Sequence, residues 1–351
     1  MSLHDEVPIP KISFDPPVYI CKKTNESLDV LDGDLSKKFW QQAEFTDLFQ
    51  DIEGESMPKP RFDTKAKILW DDKNLYISAE LYGNEIWAHQ TKHDCVIFYD
   101  NDFEIFIDPD SDTQEYVEFE MNALNTYWDL LLTKAYRDMG SPINGLELKG
   151  IKTAVKIDGN LNDPSADNKK WSVEVIIPFE TLAECNVNRR GPISGEYYRL
   201  NFSRVQWKVD VENNEYVKRT DPASGKTLPE DNWVWAPTGV INIHYPELWG
   251  FLFFADENHK TFSIPTIERI KWDLRKLYYA EHIYAKKQLH FTEDINILKD
   301  ILTKYSPCES NRFVSDLKYL IETTSTSFEI SVKDADNTIR IYSDGKVVLG
   351  D

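Results

Sequence analysis

The chain has 351 residues, 60 of them acidic and 40 basic, for a formal net charge of −20. Hydrophobic residues at 41% and charged residues at 28% describe a folded chain of one large or two ordinary domains, not a disordered one. An acidic balance with no Lys/Arg-rich run argues against nucleic acid or an anionic membrane as partner, and no apolar run is long enough to span a bilayer.

Aromatic residues make up 13% of the chain, with 10 Trp and 17 Tyr, a rich supply of flat apolar surface for so polar a sequence. Cys21, Cys95, Cys185 and Cys308 lie far apart with no CxxC pair, which fits neither a disulfide scaffold nor a four-thiolate zinc site; whether they pair stays open. The first ten residues lack the apolar stretch of a secretory leader.

Residues 1–17 read as an N-terminal arm. From about residue 18 to 255 the dominant period is two. Leu75, Ile77, Ala79 and Leu81 alternate with Tyr76, Ser78, Glu80 and Tyr82, and the same rhythm runs through Phe103, Ile105 and Ile107, then Val117, Phe119 and Met121. Trp171, Val173, Val175 and Ile177, followed by Leu200 and Phe202, continue it. Polar turn clusters at 71–74, 108–112, 158–160 and 162–164 separate these runs. Half-buried strands joined by polar turns predict a mainly β protein, an antiparallel β-sandwich of jelly-roll or immunoglobulin-like type. Only short helices are expected here, such as those at 36–43 and 178–184.

Residues 256–351 form an α+β extension. Ile267, Ile270, Leu274, Leu277 and Tyr278 recur at helical spacing, with Pro265 or Thr266 near the cap, and a second helix is expected at about 309–322. Runs at 328–332, 339–342 and 347–349, with turns at Asp336–Asn337 and Asp344–Gly345, predict a small β-meander.

Several motifs are excluded. Gly225, Lys226 and Thr227 resemble the end of a phosphate loop, but Thr220 stands where its first glycine belongs. GxSxG, HExxH and GxGxxG are absent. His89 and His93 are four apart in a segment without helical patterning, so a solvated loop is expected there. A haem ligand pair is not evident, and neither haem nor nucleotide is expected.

The alternation itself builds a candidate site. With Phe103, Ile105, Phe119 and Met121 turned to the core, Glu104, Glu118, Glu120 and Asn122 point to the opposite face, joined by Asn201 and Ser203. Carboxylates and amides read sugar hydroxyls, and flat rings cover the sugar's C–H face. Trp87, Trp128, Trp207, Trp233 and Trp235 are the rings at hand. Polar or turn-forming neighbours favour Trp87, Trp233 and Trp235, whereas Trp40, Trp70 and Trp171 read as structural. A one- or two-sugar site would bind with about −4 to −8 kcal/mol.

Five motifs in order resemble the family 9 carbohydrate-binding modules of bacterial glycan-degrading systems. They are Leu31–Leu35 with Phe39 and Trp40, Lys67–Ile77, Asp102–Pro109, Trp171–Phe179, and Asn232–Pro237 with Pro246–Gly250. The resemblance covers residues 18–255 and implies a non-catalytic sugar-binding module. Its ligand-binding Glu falls on Glu104. One clamp Trp falls on Phe98, with Tyr99 beside it, and the other on Trp233 or Trp235, with Asn232 as a polar neighbour. The family's hydroxyl-reading Arg is replaced by Glu120. The resemblance also implies a periplasmic or extracellular address, in a mature form, with glycan-degrading enzymes as partners; a cytosolic address stays open.

Asp108, Asp110, Asp112 and Glu115 place acids at alternate turn positions where calcium could be held, a structural ion that the resemblance also implies, although the full EF-hand loop is absent. Two other functions compete. A glycoside hydrolase acting on O-glycosyl bonds would pair Glu104 with Glu118 or Glu120, against the expectation that outward acids form a solvated face. A protein-interaction module would use the aromatics as an interface.

Overall fold

A computed structural model describes residues 7–335 and 337–350; residues 1–6 of the arm, and Asp336 of the expected turn, lie outside the described residues. The strands in the first part are β1 (Val18–Lys23), β2 (Gln50–Asp51), β3 (Thr64–Trp70), β4 (Asn74–Tyr82), β5 (Asp102–Asp108), β6 (Gln114–Asn122), β7 (Tyr127–Lys134) and β8 (Pro142–Ile143). They continue as β9 (Lys152–Asp158), β10 (Lys170–Pro178), β11 (Tyr197–Gln206), β12 (Val209–Glu212), β13 (Glu215–Lys218), β14 (Asp231–Val234) and β15 (Gly250–Ala255), with the short helix α1 (Phe179–Leu182) after β10.

One sheet runs β8-β7-β6-β5-β11-β15-β1-β3-β4-β10-β9, with β14 joining β11 to β2. The predicted alternating sets supply its core. Leu75, Ile77, Ala79 and Leu81 of β4 and Trp171, Val173, Val175 and Ile177 of β10 share one buried cluster with Phe103, Ile105, Phe119, Met121 and Phe202. The sheet therefore curls so that β3, β4 and β10 face β5, β6 and β11. Burying one such side chain contributes about 1.5–3 kcal/mol, and a one-residue slip would turn the whole set outward. The antiparallel expectation needs one correction: β1 pairs parallel with both β15 and β3, so the sheet is mixed.

Glu174, mid-β10, ties the chain's entry to this frame. Its carboxylate accepts from the backbone N–H groups of Asp32 (3.0 Å) and Gly33 (2.8 Å), from Lys37 Nζ (2.6 Å) and from Trp40 Nε1 (2.6 Å). Gly33 has φ +78°, and a Cβ there would stand 2.4 Å from Lys156 N, so the close approach requires glycine. The expected helix at 36–43 is a single 3-10 turn, Lys38–Gln42, whose Phe39 and Trp40 are buried.

The extension comprises α2 (Thr266–Gln288), α3 (Ile295–Tyr305), β16 (Tyr319–Thr323), β17 (Phe328–Asp334), β18 (Asn337–Tyr342) and β19 (Val347–Gly350), with the four strands in sequence order in one sheet. The second helix is not at 309–322. It starts at Asp294, whose side chain accepts from Asn296 N–H, and Pro307 follows its end. The segment assigned to it instead ends in β16, where Ile321 pairs with Ile330. A second core joins α2, α3 and this sheet to Val7, Ile9 and Phe14 of the arm and to Tyr245 and Leu248; Phe14 stacks on Trp272 at 5.3 Å. All four cysteines are free thiols. No described helix is long and apolar enough to cross a membrane.

Candidate functional site

The face of β5, β6 and β11 opposite the core is set by register. Ser203 pairs with Glu104, Glu104 with Glu120, and Glu120 with Trp128, so these four side chains form one row across β11, β5, β6 and β7. The next row holds Asn232, Val205, Asp102 and Asn122. On the other side lie Asn201, Phe106, Glu118 and Leu130. Four carboxylates thus share one patch of sheet.

That patch is not the solvated face expected from the sequence. Asp102 is 0% exposed, Glu104 6%, Glu118 6% and Glu120 1%. Burial raises Glu104 to about 7 and pushes Asp102, Glu118 and Glu120 well above the usual carboxylate range, with mutual repulsion adding to the last three. Asp102 Oδ2 and Glu118 Oε2 are buried without a hydrogen-bond partner, as is the indole N–H of Trp128 at the end of the row.

Two aromatic clusters flank the acids. Trp87, Trp207 and Val209 pack on Val205, with Phe98 beside them. Trp249 packs on Phe106, Tyr116, Leu130 and Leu132, with Trp128 and Ile243 at its margin. The first wall is fixed by backbone chemistry. The 3-10 turn Ile97–Tyr99 presents Phe98, whose N–H donates to Glu120 Oε2 at 3.1 Å and whose carbonyl accepts from Trp207 Nε1 at 2.9 Å. Lys218 of β13 lies over the Trp207 ring, its Nζ 3.3 Å from the centroid, with its pKa lowered chiefly by desolvation. On the other side Tyr136, 44% exposed, sits edge-on to His244 at 4.6 Å and lies within electrostatic reach of Glu118 and Glu120. A recessed row of acceptors between apolar rings is suited to a neutral ligand rich in hydroxyls.

Residues 31–193 match the family described as carbohydrate family 9 binding domain-like. Two solved structures of a carbohydrate binding module family 9 from Caldicellulosiruptor kristjanssonii resemble the fold. The one in complex with cellotriose is 17% identical with a TM-score of 0.44, and the one in complex with glucose is 16% identical with a TM-score of 0.41; each comparison covers 71% of this chain and 100% of the other. No curated protein matches the chain.

Within and beyond this family 9-like region, the residues singled out from the sequence divide into three groups. Glu104 and Glu120 form the row, and Phe98, Trp87 and Trp207 stand in the wall beside it; Tyr99, 53% exposed, makes an edge contact with Phe98 at 5.2 Å. Asn122, Asn201 and Asn232 share the face but differ in use. Asn122 donates to Gln90 O and Asp100 Oδ2 and accepts from Leu124 and Thr126 N–H. Asn201 donates to Ala236 O and accepts from its N–H, both at 2.8 Å. Both amides are thereby committed to holding backbone, while Asn232 lies half-buried at the end of its row.

Trp233 and Trp235 are placed elsewhere. Each is 3% exposed and belongs to the sandwich core. Trp233 meets Phe62 edge-on at 6.3 Å and Trp235 lies 6.1 Å from Phe202. Because β14 pairs with β11, its alternate residue Val234 takes the outer face opposite Ser203, and both indoles turn inward. Asp102, Tyr136 and Lys218 were not selected from the sequence. Asp102 had a signal, its period-two spacing from Glu104; Tyr136 and Lys218 arrive from turns and a hairpin whose placement no local pattern gives.

Asp108, Asp110 and Asp112 do converge, with one oxygen of each within 4.8 Å of the others, whereas Glu115 is exposed and outside the group. Asp108 accepts from Ser111 and Thr113 N–H at 2.9 Å each, Asp110 from Val187 N–H at 2.7 Å, and Asp112 from Gln114 N–H at 2.7 Å. Burial and the neighbouring acids raise Asp108 well above its usual range, and Asp112 to about 6. The turn also docks the extension: Ser111 Oγ donates to Glu268, and Lys271 Nζ to Ser111 O at 2.8 Å.

Proposed function

We propose that the chain is a non-catalytic carbohydrate-binding protein whose site is the row Ser203–Glu104–Glu120–Trp128. The observation that carries this reading is the row itself. It sets buried acceptors and an unsatisfied indole donor side by side between two ring clusters. Sugars offer vicinal hydroxyls to such acceptors and apolar C–H faces to such rings. The family 9-like match over residues 31–193 supports the same ligand class. Phe98 and Tyr99 on one side and Tyr136 on the other are the ring candidates, in place of Trp233 and Trp235.

A glycoside hydrolase pairing Glu104 with Glu118 or Glu120 is the alternative reading, and release of a cleaved product separates it from binding alone. Asp108, Asp110 and Asp112 are proposed in addition as ligands of a structural calcium ion. A bacterial glycan-use setting, outside the cytoplasm and alongside glycan-degrading enzymes, follows from the same reading.

The test is calorimetric titration with a panel of mono- and oligosaccharides, on the whole chain and on Glu104→Gln. Saturable heat from one sugar class, lost in Glu104→Gln with the fold retained, is the expected result. Folded protein that gives no heat with any sugar, or a Glu104→Gln variant that binds unchanged, removes the proposal.

A further inference from the structure

Three carboxylates converge on one point of the acid row. Oxygens of Asp102, Glu104 and Glu120 lie within 4.8 Å of one another, and all three side chains are buried. Asp102 is the informative member. Its Oδ1 accepts from Val205 N–H at 3.3 Å, while the buried Oδ2 has no hydrogen-bond partner. Glu118 Oε2, in the adjacent row, is also without one. Among the described residues no Lys, Arg or His side chain forms an ion pair with any of the four. Uncompensated buried charge is costly, and proteins resolve it by protonation, by pairing or by coordination.

We propose that Asp102, Glu104 and Glu120 bind a divalent cation, and that the cation is calcium. The donor set is all oxygen, which disfavours zinc and copper. Calcium takes six to eight oxygens in a flexible geometry, whereas magnesium demands near-ideal octahedral geometry and usually keeps several waters with only one or two carboxylates, so three protein carboxylates on one ion favour calcium. This site is separate from the turn acids Asp108, Asp110 and Asp112. Three carboxylates do not fill a coordination shell of six to eight, which leaves positions for other oxygens. Water fills them in the free protein. A sugar's adjacent hydroxyls replace that water in the bound one, a step that rests on the carbohydrate reading; the ion site itself does not.

The experiment titrates metal-stripped whole chain with calcium chloride by calorimetry, with magnesium and manganese as comparisons. It uses wild type, the turn variant Asp110→Asn/Asp112→Asn and the turn variant with Asp102→Asn/Glu120→Gln added, each checked for fold by circular dichroism. A saturable calcium event should appear in wild type, persist in the turn variant and weaken roughly 100-fold or more in the combined variant. No saturable event in the turn variant overturns the proposal, and so does an event of unchanged affinity when Asp102→Asn/Glu120→Gln is added to the turn variant. Should the combined variant not fold, Asp102→Asn alone, added to the turn variant, decides by the same criterion. Sugar titration with and without chelator separates the two readings. Calcium binding without any sugar binding removes the carbohydrate reading alone, and sugar binding without a calcium event removes the ion.

Discussion

Arg199 of β11 meets Glu268 in the first turn of α2 at 3.1 Å, and both side chains are 2% exposed. Glu268 also accepts from Ser111 Oγ (3.0 Å) and Lys271 Nζ (2.7 Å), while Arg199 donates onward to the carbonyls of Trp249 and Glu247. A carboxylate at a helix N-terminus is favoured by the helix dipole, and here it also neutralises the cation projecting from the sandwich. The extension is therefore welded to the sheet that carries the acid row. Glu268→Ala should lower stability by about 3–5 kcal/mol, because it strands a buried guanidinium. Urea unfolding followed by tryptophan emission and by far-ultraviolet dichroism should show one coincident transition; two separated transitions would show that the parts fold independently.

The carboxylate of Glu174 replaces water for two backbone N–H groups, one indole and one ammonium in the entry segment. Glu174→Ala should cost about 3–5 kcal/mol, leaving those donors buried and unpaired. Gly33→Ala should cost more than 1 kcal/mol (roughly), since both its φ of +78° and the approach of Lys156 reject a Cβ. Thermal melts of the two variants measure this, and unchanged melting in either would show that the entry segment is not held by Glu174.

The sandwich was legible because each face imposes a period of two on strand after strand, and Phe103, Phe119, Val173 and Phe202 fall on the core side as that period requires. What lies over the opposite face was legible only in part. Trp87 and Trp207 were expected near it and pack on Val205, whereas Lys218 reaches it from a hairpin with no local signal, and only this tertiary placement turns Glu104 and Glu120 from surface acids into buried ones. Trp233 and Trp235 show the same limit. Their polar neighbours suggest a rim, but which side of β14 faces inward is decided by its pairing with β11, and that pairing has no local signature. The helix misplaced to 309–322 fails for a different reason: Ile321 carries strand pairing with β17 in a segment whose spacing also suits a helix.

Those placements separate two kinds of aromatic residue. Trp235→Ala should destabilise the fold by about 3–5 kcal/mol, the cost of emptying a packed core position. Tyr99→Ala, at a position 53% exposed, should change stability by less than about 0.5 kcal/mol while weakening sugar binding. Denaturant midpoints and sugar titrations on both variants check the split. A stable Trp235→Ala that loses sugar binding would return Trp235 to the clamp.

Glu281 of α2 gives a pH dependence with a definite sign. Its side chain is fully buried; Oε2 accepts from Thr292 N–H at 3.1 Å and Oε1 has no partner. Burial raises its pKa from 4.5 to about 8, with the Thr292 N–H pulling the other way. Between those values the folded chain holds a proton that the unfolded chain has released, so the Glu281 contribution to stability falls as pH rises through that window. It is fully present below the unfolded pKa and gone above the folded one. Glu281→Gln keeps an oxygen for Thr292 and cannot ionise. The two proteins should be similarly stable near the lower end of the window, and the variant should be more stable above it by on the order of a few kcal/mol, each pKa unit being worth about 1.4 kcal/mol. Urea unfolding of both proteins across that range gives the difference curve directly. A curve that is flat with pH would show that Glu281 titrates alike in the folded and unfolded chains.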